Sequence, residues 1–183
     1  LRLTQDALRI AGSNPRPSVG LVFVTRAQAH ALALTNRRAE ARKAVQRFTD
    51  IAEANFPVVP GFWESSDYRI YFTHSQVFSA IGDETAAAKA QESILKGDPA
   101  GYQVPINARL HAAQCTVVNG GIDEGVRQAT EVLAAIPRPY CNLMITETAR
   151  RILRAVPVHQ RNHPAVADLH AVLPITTAKD IDV

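Results

Sequence analysis

Cysteine is scarce in this sequence: Cys115 and Cys141 are the only two. Both fall inside apolar helical patterns, which reads as free thiols in a reducing compartment and excludes a disulfide-built scaffold. No apolar run approaches the ~20 residues that a membrane helix requires, and no charged-then-apolar leader is present. Neither membrane spanning nor secretion is expected, and a cytoplasmic location is. Charge of one sign is also lacking, since 20 Lys and Arg stand against 17 Asp and Glu for a net +3. That balance does not by itself imply nucleic acid or an acidic membrane as partner. There is no glycine-rich phosphate loop, and the candidate bases His30, His74 and His111 lack a nucleophile in any recognisable motif. A non-enzymatic protein without a cofactor is expected. The sequence opens at Leu1 rather than at a methionine, which reads as a piece of a longer protein.

What is present is a core-forming composition, 46% hydrophobic over 183 residues, enough for one domain. Eleven prolines divide it, because proline is kept out of helix interiors and accepted in loops and first turns. Between them the apolar spacing predicts helices at about 1–11, 18–34, 37–54, 66–81, 84–97, 104–118, 122–136, 139–155 and 163–173. No stretch alternates at period two long enough for a strand. Asn119-Gly120 looks like a hairpin turn, but its flanks carry apolar residues at helical spacing and predict two helices joined by a turn.

The same arrangement recurs around three turn residues. Seven before Gly82 is Ser75, four before it Phe78, five after it Ala87 and seventeen after it Pro99. Around Gly120 the corresponding residues are Ala113, Thr116, Gly125 and Pro137, and around Asn36 they are Ala29, Leu32 and Ala41. Small residues recur where two antiparallel helices must approach closely, since larger side chains would hold their backbones apart.

This pattern resembles the tetratricopeptide repeat, best in "YFTHSQVFSAIGDETAAAKAQESILKGDP" through Tyr71, Ser75, Phe78, Ala87 and Pro99. His74 and Ile94 depart from it, and the anchors lie 46 and 38 residues apart, longer than the usual repeat. The order "RAQAHALAL", "NRRAEARKAV", "FWESSDYRIYFTHSQVFSAIGD" and "ETARRILRAVPVHQRNHPAVADLHAVL" is further similar to the C-terminal repeat region of actinobacterial transcriptional regulators with an N-terminal XRE-type helix-turn-helix. The resemblance implies an all-α superhelical array over residues 1–183, with hairpins at about 18–54, 66–97 and 104–136, capping helices at 139–173 and a tail at 174–183. The DNA-binding module of that family is not evident. "LTQDALRIAG" resembles its second helix, but Pro15 and Pro17 would break the recognition helix that must follow.

In tetratricopeptide arrays the first helix of each pair faces the concave groove, at positions ten and six before the turn anchor. The resemblance thus implies Arg26 and His30, Phe72 and Gln76, Leu110 and Gln114 as groove residues. Positions thirteen and nine before it add Phe23, Arg69 and Asn107, then Ala27, Thr73 and His111. Arg, His, Gln and Asn among aromatics would suit a peptide or small molecule, though each could equally be a satisfied packing position. The set resembles the carboxylate clamp of peptide-binding repeats without completing its Lys and Asn residues. Trp63, with Phe56 and Phe62, is either a plug over the core or a wall of the site.

Other clusters have plainer readings. Arg37, Arg38, Arg42, Lys43 and Arg47, like Arg150, Arg151 and Arg154, read as solvated faces. His159 and His163 stand four apart, but between Pro157 and Pro164 they read as a capping turn rather than a metal site. The expected function is therefore ligand or peptide sensing, or protein interaction, within a bacterial transcriptional regulator. A homodimer is possible, and DNA would be reached only through another module. The alternative is a stand-alone scaffold for a protein partner.

Overall fold

The structure, a computed structural model, describes residues 1–11, 18–55, 66–97 and 101–174. All of its regular elements there are helical: α1 (Arg2–Ala11), α2 (Val19–Leu34), α3 (Arg38–Asn55), α4 (Ser66–Ile81), α5 (Glu84–Lys96), α6 (Gln103–Val118), α7 (Ile122–Ala134), α8 (Leu143–Ala155) and α9 (Pro164–Val172). Short 3-10 turns at Arg138–Tyr140 and Val158–Gln160 flank α8. None of these helices is long and apolar enough to cross a membrane.

The three turn anchors share one backbone solution. Asn36, Gly82 and Gly120 have φ of 57°, 72° and 95°, the left-handed conformation that glycine and asparagine accept most readily. At each, the next residue's N–H bonds back to the carbonyl four before the anchor: Arg37 to Leu32 at 2.9 Å, Asp83 to Phe78 at 2.9 Å and Gly121 to Thr116 at 2.9 Å. This closes helices α2, α4 and α6 and reverses the chain into α3, α5 and α7. Ala29, Ala41, Ser75, Ala87 and Ala113 are all sealed in the hairpin interiors. At Gly125 a Cβ would lie only 2.7 Å from the Ala113 carbonyl oxygen, so no larger residue fits without moving α7 off α6.

Packing runs in two rows. Helices α2, α4, α6 and α8 touch in that order, while α3, α5 and α7 each pack against the helix that precedes them. α9 packs on α7. Two apolar clusters hold the rows, one around Val22, Leu32, Phe48 and Ile81, the other around Leu110, Val126, Ile152 and Leu169. Phe72, Ile94 and Ala108 form a smaller one. Arg42 of α3 bonds at 2.9 Å to Asp83, whose other oxygen caps α5 by accepting from Ala86 N. One member of the α3 basic cluster thus ties two hairpins together.

The predicted helix at 139–155 is corrected. Pro137 and Pro139 hold a 3-10 turn, and α8 begins only at Leu143, where the Asn142 side chain caps it by accepting from Ile145 N. The loop with Phe56, Phe62 and Trp63, the Pro15 and Pro17 segment, and the tail beyond Pro174 lie outside the described residues.

Candidate functional site

A cleft of about 720 Å³ opens between α2, α4 and α8. Phe23, Arg26, Ala27 and His30 of α2 form one wall, Phe72 and Gln76 of α4 the base, and Leu143, Met144, Glu147, Thr148 and Arg151 of α8 the other wall. Helical spacing explains the α2 and α8 sets, since residues three and four apart share a face. Each wall begins apolar, at Phe23 or at Leu143 and Met144, and becomes polar toward its other end, at His30 or Arg151.

Arg26 lies over the Phe72 ring, with its guanidinium carbon 5.7 Å from the ring centroid. Burial first, then the charges of Arg69 and Arg151, lower its pKa below the ordinary arginine value. The Arg151 pKa is also lowered, chiefly by burial, against the favourable charge of Glu147. Glu147 itself accepts from Arg150 at 2.7 Å and lies 3.4 Å from Arg154, so its charge is drawn toward the outer side of α8. Those contacts divide the second basic cluster: Arg150 and Arg154 hold Glu147, while Arg151 alone of the three lines the cleft. His30 is held down at about 3 by burial, with Arg151 and Arg26 adding to it. Its ring is neutral at physiological pH and can donate from one nitrogen.

Beneath the cleft lies a second polar layer. His111 is fully buried, with Nδ1 2.9 Å from Ser75 Oγ and its ring edge-on to Phe72 at 5.2 Å. Nε2 of His111 has no hydrogen-bond partner among the described residues. Burial, then the charges of His30, Arg151 and Arg26, hold His111 at about 3. Asn107 is also fully buried; it donates to Gln103 O at 2.8 Å and accepts from Thr148 Oγ1 at 2.6 Å.

The expected site residues therefore separate. Phe23, Arg26, His30, Phe72 and Gln76 come together on the cleft. Asn107 and His111 do not line it, because α4 and α8 pack on both sides of α6 and close its inner face. Gln114, 4% exposed, faces a smaller cavity beyond Arg151, of about 410 Å³. Arg69 acts on Arg26 through its charge without lining the cleft, and Trp63 lies outside the described residues. Sequence reasoning missed the α8 wall. Counting ten and six residues back from Pro157 gives Glu147 and Arg151, and thirteen and nine gives Met144 and Thr148, the same offsets that select the α2 wall.

Elsewhere the ionisable groups are quieter. The Cys115 thiol is pushed up to about 11, chiefly by burial, and is inert as a nucleophile. His163 caps α9 by accepting from Ala165 N at 3.3 Å, and no cluster of potential metal ligands occurs among the described residues. No protein-family model, curated protein or solved structure matches the chain.

Proposed function

We propose that the chain is the effector-sensing domain of a bacterial transcriptional regulator, built from divergent tetratricopeptide-like hairpins, with the α2/α4/α8 cleft as its ligand site. The observation that carries this reading is that one cleft of ligand size draws its walls from the first and last helices of the inner row. A ligand there touches α2 and α8 at once and favours arrangements that hold them at one separation. Binding thereby becomes a change in curvature across the row, which an attached DNA-binding module would sense as a shifted population.

The test is thermal unfolding in the low-molecular-weight fraction of an extract from the native cell. Anything that binds the folded state alone raises the melting temperature. The wild-type protein should be stabilised by this fraction, and Ala27→Trp, which fills the cleft from an exposed position, should not. Equal stabilisation of both proteins would refute the cleft. The scaffold reading draws on the exposed apolar side chains of α1, Leu3 at 83% and Ile10 at 79%. It predicts stabilisation by the macromolecular fraction instead, lost in a Leu3→Glu, Ile10→Glu variant and kept in Ala27→Trp.

A further inference from the structure

We infer that the ligand of this cleft is a small organic acid with an apolar body, its carboxylate anchored by Arg151 and hydrogen-bonded by Gln76 and His30. The inference rests on the cleft being the ligand site. Its starting point is three polar side chains that the protein leaves unused. Gln76 is only 8% exposed, opens on the cleft, and makes no hydrogen bond among the described residues. The same holds for the half-buried His30 and Arg151. Three polar side chains that open on one space with no hydrogen-bond partner among the described residues are free to serve a ligand that brings acceptors.

Charge selects the kind of acceptor. Arg26 and Arg151 act on each other and on His30 with like sign, and among the described residues the one carboxylate lining the cleft is Glu147, engaged by Arg150 and Arg154. A planar carboxylate matches the guanidinium fork and relieves that repulsion with one negative charge. A dianion such as phosphate would face Glu147 on the same wall. Phe23, Phe72, Leu143 and Met144 provide the apolar remainder. Size and boundary favour a small acid over an extended peptide. The cleft volume of about 720 Å³ suits a compact ligand, and the α6 face over which a peptide would continue is closed at Asn107, Leu110 and His111.

The experiment uses hexanoate and phenylbutyrate, each beside its primary amide. Inorganic phosphate and an N-acetylated tripeptide in free-acid form complete the panel. Binding is followed through the NMR signals of the Gln76 side-chain amide and the Arg151 Nε–H. The acids should shift both signals and bind at least about tenfold more tightly than their amides. Arg151→Gln should remove that preference while still folding, as checked by its thermal unfolding without ligand, because it gives up the attraction of Glu147 but also the repulsion of Arg154 and Arg26. If amides and acids bind alike and Ala27→Trp blocks both, the carboxylate anchor is wrong and the cleft stands. If none of the probes binds, or Ala27→Trp leaves binding unchanged, both the anchor and the cleft reading fall. Tighter binding of phosphate or of the tripeptide acid than of the small acids would overturn the proposed ligand class.

Discussion

Two neutral histidines give this protein a pH signature that follows chiefly from burial, with neighbouring cationic charge adding to it. His30 and His111 are held at about 3 when folded against an ordinary value of 6.5. The unfolded chain takes up their protons below 6.5, whereas the folded one does not until far lower pH. Stability is therefore complete above about pH 6.5 and falls as the pH drops, by up to ~1.4 kcal/mol per pH unit for each histidine. Urea unfolding between pH 7 and pH 5 should show this decline, and His30→Gln or His111→Gln should each make it shallower, with the remainder including a share from His74, whose pKa burial also lowers. A wild-type stability unchanged over that interval would contradict the burial of both rings. His74 does not share the cleft; its Nε2 lies 2.7 Å from Thr49 Oγ1. Since that hydroxyl donates to Val45 O at 3.0 Å, the imidazole donates to it, and a substitution there perturbs the α3–α4 contact rather than ligand binding.

At the scale of elements, the hairpins depend on two different uses of glycine. Gly120 needs its φ of 95° but has nothing within 4 Å of where a Cβ would stand, so Gly120→Ala should cost ~1–2 kcal/mol through conformation alone. Gly120→Asn should recover most of that, because asparagine tolerates the left-handed region. Gly125 is helical and meets the Ala113 carbonyl oxygen and Val117 Cγ2, each at 2.7 Å. Gly125→Ala should cost ~1–3 kcal/mol of overpacking although alanine favours helix by ~1 kcal/mol. Chemical denaturation of the three variants separates the two effects, and a stabilised Gly125→Ala would show that α6 and α7 are not in contact there. These turns were readable in the sequence because left-handed caps are local chemistry. The α8 wall was not: its helix ends at Val156 in extended conformation, φ −68° and ψ 124°, ahead of Pro157. With no Gly or Asn at the cap of α8, where Val156 stands instead, the repeat pattern lost its anchor. The closing of α6 was equally illegible, since it depends on the contacts Thr148 makes to Asn107 and Phe72 makes to His111 across 41 and 39 residues of chain.

For the molecule as a whole, the inner row brings α2 and α8 to opposite sides of one cleft, although the helices that link them in space are α4 and α6. Like charge on Arg26 and Arg151 opposes their approach, and on the proposed reading a bound anion would offset it. On that reading, ligand affinity would be linked to the separation of the two walls. The α2 and α4 half of this arrangement follows from the register of Arg26, His30, Phe72 and Gln76; the α8 half required the fold. Native mass spectrometry of the protein purified gently from its own cells tests the central claim most directly. A discrete small-molecule adduct, released on denaturation and missing from Ala27→Trp prepared in the same way, is the predicted result. An adduct retained equally by Ala27→Trp would contradict the account, as would a wild-type protein that carries none and gains none from the extract that surrounds it in the cell.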